Sequence, residues 1–208
     1  MKIKPLILTL AVLTAITFSA CDSSKQNSQT SENTSSIAIS EPKEGTFDIE
    51  YVRKQINIKG QAFEIPMALK DLPEGWTYEE KETSLLDGLG MATFYYEENE
   101  MFVGSMENFY DDKKTNGIIY SVFFDTNDCS IDEIVPLKTT EREVYEHYGE
   151  PSEKEDISDG YVYSYGIYNG RSNVYGRSND QRIAITFNKE TNIVKSVSIT
   201  FADLSKKY

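Results

Sequence analysis

The sequence offers few side chains for nucleophilic or metal chemistry. His147 is the only histidine in 208 residues, so a Ser-His-Asp or Cys-His arrangement would have to include it. It lies in a predicted helix, where a cation near the C-terminus is favourable. No Gly-x-Ser-x-Gly motif is present, and one histidine with two cysteines supplies too few zinc ligands. We therefore interpret His147 as structural, Cys129 as a small buried residue rather than a reactive thiol, and predict no metal, no cofactor and no enzymatic activity.

Cys21 closes an N-terminal segment, residues 1–20, that is typical of a secretory signal. Two lysines near the start, an apolar stretch over residues 6–18 and the small residues Ser19 and Ala20 precede the cysteine. This order resembles the lipobox of bacterial lipoproteins, which implies that the Cys21 thiol carries a diacylglycerol anchor with palmitate-type acyl chains. The apolar stretch is shorter than the roughly 20 residues that a bilayer span needs. We therefore predict a lipid anchor at Cys21 and a location on the extracytoplasmic face of the cell membrane.

The acidic balance of the chain limits its partners. The sequence has 21 Lys and Arg against 34 Asp and Glu, a net charge of −13. Removal of residues 1–20 with their two lysines leaves 19 basic residues against 34 acidic ones, or −15. Because phosphate binding needs clustered Lys and Arg, we predict no nucleic-acid partner. The expected partners are the membrane, through the lipid on Cys21, and a protein or cell-wall component.

Composition also divides the mature chain. Residues 21–45 are rich in Ser, Thr, Asn, Gln, Lys and Glu, so we predict a lipidated, disordered tether. Residues 46–129 and residues 130–208 each contain a helical pattern followed by strand patterns. The predicted fold class is α+β, with two tandem small helix-plus-antiparallel-sheet units that form one compact domain after the tether.

Alternating apolar residues predict most of the strands. They are expected over residues 47–51, 56–58, 63–65, 76–78, 92–97, 101–110, 118–124, 161–168, 182–187 and 193–201. The stretch from residue 56 to residue 65 reads as a hairpin that turns at Gly60. In the last two strands large apolar residues alternate with small or polar ones, which indicates an antiparallel sheet with one face in solvent.

Two segments have helical spacing. Residues 67–72 predict a short helix at most. A clearer helix begins at Thr139 or Thr140, with Glu143 placed three residues after Thr140 as a capping box requires. Gly149 is expected to end it.

The second half then shows a family resemblance. A helix, the Tyr-Gly-Glu-Pro-Ser stretch at 148–152 and strands ending at 185–187 and 197–201 resemble the unit of outer-membrane-assembly small lipoproteins. Two such units in tandem resemble the β-lactamase inhibitory protein family, and residues 63–76 resemble uncharacterised Gram-positive lipoproteins. The resemblance implies the tandem fold and, as an alternative function, inhibition of an envelope enzyme. That family is disulfide-stabilised, whereas this chain has no cysteine pair to spare.

Two features are candidate binding sites. Tyrosines alternate on one strand, and Tyr suits recognition surfaces because it combines a large rigid ring with a polar tip. A repeated Gly-Arg-Ser-Asn loop carries two arginines that could bind a carboxylate or phosphate. The candidate partner-binding residues are Tyr161, Tyr163, Tyr165, Tyr168, Arg171 and Arg177. The alternatives are a sheet face covered by helices and a solvated hairpin loop.

The predicted function is therefore that of a membrane-anchored extracytoplasmic lipoprotein that acts as a non-enzymatic protein- or envelope-binding module. An inhibitor of an envelope enzyme is one alternative. A hydrolase of wall or carbohydrate polymers that uses two carboxylates is the alternative from another class. With 34 acidic residues, chance carboxylate pairs are expected, so this last alternative needs a cleft to support it.

Overall fold

A computed structural model describes residues 41–81, 90–107, 117–167 and 180–202. These residues form antiparallel sheets and two short α-helices, α1 (Ile49–Val52) and α2 (Glu141–Tyr148). The strands are β1 (Ile56–Ile58), β2 (Gln61–Phe63), β3 (Met67–Ala68), β4 (Trp76–Glu80), β5 (Gly90–Tyr96), β6 (Asn99–Glu107), β7 (Ile118–Phe124), β8 (Cys129–Ile131), β9 (Glu153–Ile157), β10 (Gly160–Ile167), β11 (Gln181–Asn188) and β12 (Val194–Phe201).

The large sheet consists of two four-stranded meanders joined through their last strands. Its order is β4-β5-β6-β7-β12-β11-β10-β9, and β3 adds a short pairing to β7. We call β4–β7 the first meander and β9–β12 the second meander. Strands β7 and β12 are antiparallel, with Phe124 opposite Val197. A smaller sheet has the order β2-β1-β8.

Two hairpins in the first half turn through residues with positive φ. Lys59 and Gly60 have φ of 53° and 83°, and Glu97 and Glu98 have φ of 50° and 67°. Two consecutive positive values match the twist of the flanking strands, as in type I′ turns. The predicted hairpin around Gly60 is therefore confirmed, with Ile56 opposite the returning residue Phe63.

The core lies against one face of the large sheet. In β11 and β12 the buried side chains are Ile183, Ile185, Phe187, Val194, Val197, Ile199 and Phe201. The residues between them along β11 are only partly buried, so the predicted alternation and the solvent-facing side of the sheet are confirmed. Each fully buried Ile, Val or Phe side chain contributes about 1.5–3 kcal/mol relative to an exposed one.

The predicted α+β class with two tandem helix-plus-sheet units is wrong. The fold is 53% strand and 11% helical, dominated by the large antiparallel sheet. The segment at 67–72, expected to be the first unit's helix, forms β3 and a 3-10 turn at Leu69–Asp71. Met67 pairs with Ile119 of β7. The backbone N–H and C=O groups that would form helical hydrogen bonds therefore take part in the sheet.

The two α-helices differ in how well their sequence predicts them. Helix α2 is confirmed, because Thr140 caps it and exchanges hydrogen bonds with Glu143 in a capping box. The strand predicted at 47–51 is wrong, since α1 forms there. The Asp48 side chain accepts a hydrogen bond from the Glu50 amide and begins the helix, which overrides the alternation.

Several predictions concern parts of the chain outside the described residues. These are the signal segment, the lipid site Cys21, most of the tether, Tyr168, Arg171 and Arg177. The boundary at 129/130 between two units stays a prediction. Neither helix of the described part is long and apolar enough to cross a membrane.

A candidate binding cavity beside helix α2

A surface cavity of about 380 Å³ lies beside α2. Its walls come from residues 41–46, from α1, from the link between β8 and α2, and from α2 itself. We call it the acidic cavity because of the six carboxylates that line it. These are Glu41, Glu44, Asp132, Glu133, Glu143 and Glu146. Lys43 and His147 are the basic residues of the lining, and Arg142 outside it pairs with Glu146 at 2.7 Å, so carboxylates exceed these basic side chains by three when His147 is protonated.

The wall formed by residues 41–46 is held against the C-terminal end of α2. The Gly45 amide donates a hydrogen bond to the His147 carbonyl oxygen at 3.0 Å. Gly149, at φ 78°, lies so close that a Cβ atom there would be 2.4 Å from the Gly45 carbonyl oxygen. Both the backbone conformation and this contact require glycine at position 149. The cavity therefore has a wall fixed by two glycines.

His147 is held by a carboxylate from the neighbouring link. Its Nε2 lies 2.6 Å from Oδ2 of Asp132, and its Nδ1 lies 3.9 Å from Oε2 of Glu133. Because a carboxylate only accepts, the Nε2–H is the donor. Asp132 is itself placed by a left-handed φ of 55°, which Asp tolerates, and by donation of its amide to the Gln55 carbonyl oxygen. The backbone therefore positions both members of the His147–Asp132 pair, His147 through α2 and Asp132 through its hydrogen bond to Gln55.

A smaller cavity adjoins this pair. It measures about 220 Å³ and shares Glu133, Glu143 and His147 with the acidic cavity. His147 therefore lies between two depressions of the surface, and a group bound in either one meets its ring.

Tyr148, beside His147 on α2, contributes a buried polar group to the same cavity. The residue is 3% exposed, and its hydroxyl has no hydrogen-bond partner among the described residues. Burial raises the pKa of Tyr148 well above its usual value, and the negative charge of Asp132 adds to this effect. Its ring packs edge-on against Phe47, with 5.3 Å between centroids. A buried hydroxyl without a partner costs free energy, so it marks a place where a bound group could be stabilised.

The three tyrosines predicted to form a binding face lie on the core side of the sheet. Tyr163 and Tyr165 are 8% and 2% exposed, and Tyr161 is partly buried. The Tyr165 hydroxyl donates to the Gly149 carbonyl oxygen at 3.1 Å. The Tyr163 hydroxyl donates to Glu141 of α2. This placement corresponds to the alternative of a sheet face covered by a helix, so Tyr163 and Tyr165 do not form an open surface.

Only the outer end of this tyrosine row reaches the surface. There Tyr161 and Tyr163 line a cavity of about 410 Å³ together with Lys154 and Asp156. The Lys154 ammonium lies 4.9 Å from the centre of the Tyr163 ring, and the Tyr161 hydroxyl donates to Asn192 at 3.0 Å. Burial and Glu141 raise the pKa of Tyr163. Both tyrosine hydroxyls of this cavity are thus already paired, Tyr161 with Asn192 and Tyr163 with Glu141.

Cys129 is buried, as the sequence predicted. It is 1% exposed, and its thiol donates to the Met101 carbonyl oxygen at 3.5 Å. Burial raises the pKa of the thiol to about 12, with smaller contributions from Asp128 and Asp125. The thiolate that nucleophilic chemistry needs is therefore disfavoured.

Sequence reasoning placed His147 on its helix but missed Asp132 and Tyr148 as its neighbours in a cavity. Asp132 lies 15 residues before His147 and belongs to no periodic pattern. The one available signal was the acidic pair Asp132-Glu133 shortly before the capping box. Tyr148 follows His147 directly, but spacing along a helix does not indicate whether a hydroxyl is paired.

The cavity does not have the arrangement of a metal site. Within the described ranges, no three His, Cys, Asp or Glu side chains are grouped closely enough to hold a metal ion. The carboxylates are instead spread around the cavity, which suits a larger group with dispersed contacts. Comparison with known proteins finds no matching family model, no matching curated protein and no matching solved structure.

Proposed function

We propose that this protein is a lipid-anchored, extracytoplasmic binding module without enzymatic activity, whose partner is a protein or cell-wall component. The observation that carries the proposal is Cys21, placed directly after Ser19-Ala20 and an apolar stretch that begins with lysines. Diacylglycerol on this cysteine holds the folded part of the chain at the outer face of the cell membrane. The net negative charge keeps the tethered domain soluble there.

The described lining of the acidic cavity holds no serine or cysteine nucleophile for His147 to activate. It places Asp132 and Glu133 beside His147 instead. A histidine activates a nucleophile only within hydrogen-bond reach of it. The free thiol of Cys129 lies elsewhere, buried and with a pKa raised to about 12. A concave, charged site with a fixed wall is what recognition requires.

Labelling and fractionation test the anchor. Cells that express the full chain are fed radiolabelled palmitate, and membranes are separated from soluble protein. We expect the wild-type chain to be labelled and membrane-bound, and Cys21→Ala to lose the label and move to the soluble fraction. Cys129→Ala is the matched control, because it removes the other cysteine and keeps the proposed attachment point.

The result that would overturn the anchor is equally specific. Membrane association of Cys21→Ala equal to that of the wild type would exclude lipid on this residue as the means of attachment. If Cys129→Ala loses the label and Cys21→Ala keeps it, the modified residue is Cys129 and the proposal is wrong.

A further inference from the structure

We propose that the acidic cavity binds an organic ammonium ion that carries an alkyl chain. This inference rests on the proposed binding function and names the class of ligand. It depends on three features of the cavity: the excess of carboxylates, the unpaired Tyr148 hydroxyl, and the apolar part of the lining.

The charge of the lining selects a cation. Six carboxylates and two basic side chains line a volume of about 380 Å³, and two of these carboxylates are already paired, Asp132 with His147 and Glu146 with Arg142. The Asp132 side chain is only 11% exposed, so its attraction for a cation is less screened than that of a surface carboxylate. The adjacent Glu133 side chain is 79% exposed, so its attraction for a cation is screened by solvent.

The buried hydroxyl supplies a hydrogen-bonding group without a partner. Tyr148 lines the cavity and is 3% exposed, and its hydroxyl has no hydrogen-bond partner among the described residues. A Tyr hydroxyl can accept as well as donate, and an ammonium group has three N–H donors and no acceptor. An ammonium group can therefore donate one hydrogen bond to this oxygen and another to a carboxylate.

The apolar lining selects an alkyl chain rather than a bare ion. Pro42, Val52 and the rings of Tyr51 and Tyr148 contribute to the walls. Burial of methylene groups against them adds hydrophobic stabilisation. Since the described acidic residues do not group as a metal site requires, an organic cation uses the cavity better than a divalent metal ion.

The test is a titration of the isotope-labelled full chain in detergent micelles, followed by NMR at constant ionic strength. The probe is butylammonium, and the neutral isostere is butanol. We expect saturable shifts of the Gly45, Asp132 and Tyr148 amides with butylammonium and much smaller shifts with butanol. Lysine amide and spermidine then distinguish a peptide side chain from a free polyamine.

Three variants connect the binding to the named groups. Asp132→Asn is expected to weaken the affinity about tenfold or more, since hydrogen bonds to charged groups are worth about 1.5–3 kcal/mol. Tyr148→Phe is expected to weaken it severalfold while leaving the free protein as stable as before. If the hydroxyl had only a structural role, Tyr148→Phe would change the stability of the free protein rather than its affinity for the probe. Glu190→Gln removes the same charge from an exposed turn and is expected to bind like the wild type.

The outcomes decide between specific binding and its alternatives. Equal responses to butanol and butylammonium, or equal weakening by Glu190→Gln and Asp132→Asn, would overturn the proposal. If Asp132→Asn does not fold, Glu133→Gln replaces it, because that side chain is largely exposed. Failure of all titrations together with lipid labelling at Cys21 would reject the ligand class and leave the anchored protein intact.

Discussion

The two meanders of the large sheet bury their inner faces in different ways. The first meander packs ring against ring: Phe102 stacks on Phe94 with 4.5 Å between centroids and meets Phe63 of the small sheet at 5.4 Å. The second meander is covered by α2, and the contact there includes polar groups. Tyr163 and Tyr165 place their hydroxyls against Glu141 and the Gly149 carbonyl oxygen.

In this sheet, the element that packs on each meander determines how polar the buried side chains beneath it are. A small sheet offers side chains from one face and pairs its backbone groups within itself. A helix end presents carbonyl oxygens without helical partners, and these need donors. Tyrosine supplies a large apolar ring and one donor, so it suits the strand below the end of α2. The acidic cavity lies on this helix-covered side of the molecule.

Removal of a ring from the first meander should have the largest effect. Phe102→Ala is expected to lower the free energy of unfolding by about 3–5 kcal/mol, because a buried ring is replaced by a cavity. Urea unfolding measures the change. Phe123→Ala is the matched control, since that side chain is 41% exposed on the neighbouring strand β7 and should cost far less. Equal losses from the two variants would contradict the description of the first meander as packed ring against ring.

Removal of one hydroxyl from the second meander should have an intermediate effect. Tyr165→Phe keeps the ring but removes the hydrogen bond to the Gly149 carbonyl oxygen, which is expected to cost about 1 kcal/mol. Tyr148→Phe removes a hydroxyl that has no partner and should cost nothing. Both are compared with the wild type by urea unfolding. Loss of stability in Tyr148→Phe alone would reverse the roles assigned to the two hydroxyls.

A fall in pH should have the smallest effect on stability, and it should act at α2, the helix that covers the second meander. The amide and hydroxyl of Thr140 donate to Glu143 and lower its pKa. A carboxyl whose pKa is lower in the folded state stabilises the fold above its unfolded pKa, about 4.3, and this contribution is lost as pH falls through the folded pKa. The stability difference between wild type and Glu143→Gln should therefore shrink from pH 7 to pH 3. Glu190→Gln, which removes the same charge from an exposed turn, is measured beside it as the control.

Sequence patterns predict those parts of the fold that have one buried face. The structure confirms the strands at 118–124 and 182–187 and the helix capped by Thr140. Alternating apolar residues indicate which face of a strand is buried, and a capping box indicates where a helix begins. Strand β9 was missed. Its sequence, Glu-Lys-Glu-Asp-Ile, is almost entirely exposed at the edge of the sheet, where charge prevents pairing with other chains. An edge strand without a buried face has no apolar period to detect.

The candidate site could be predicted less well than the strands. The tyrosine row was recognised as a set, yet its face depends on which element packs above it, and local spacing does not contain that information. The acidic cavity requires residues 41–46, Asp132 and α2 to meet, and Gly45 and Gly149 make this possible by close backbone approach. Such contacts between distant segments depend on tertiary structure and leave little local pattern.

The contact between Gly45 and Gly149 also has a mechanical consequence. Residues 41–46 continue along the chain towards Cys21, the proposed point of attachment. Among the described residues, a pull on that side loads the Gly45 hydrogen bond to His147 before it strains the strands of the sheet. The force would therefore peel one wall away from α2, opening the cavity from its edge. A ligand that contacts both walls would raise the force needed to detach them.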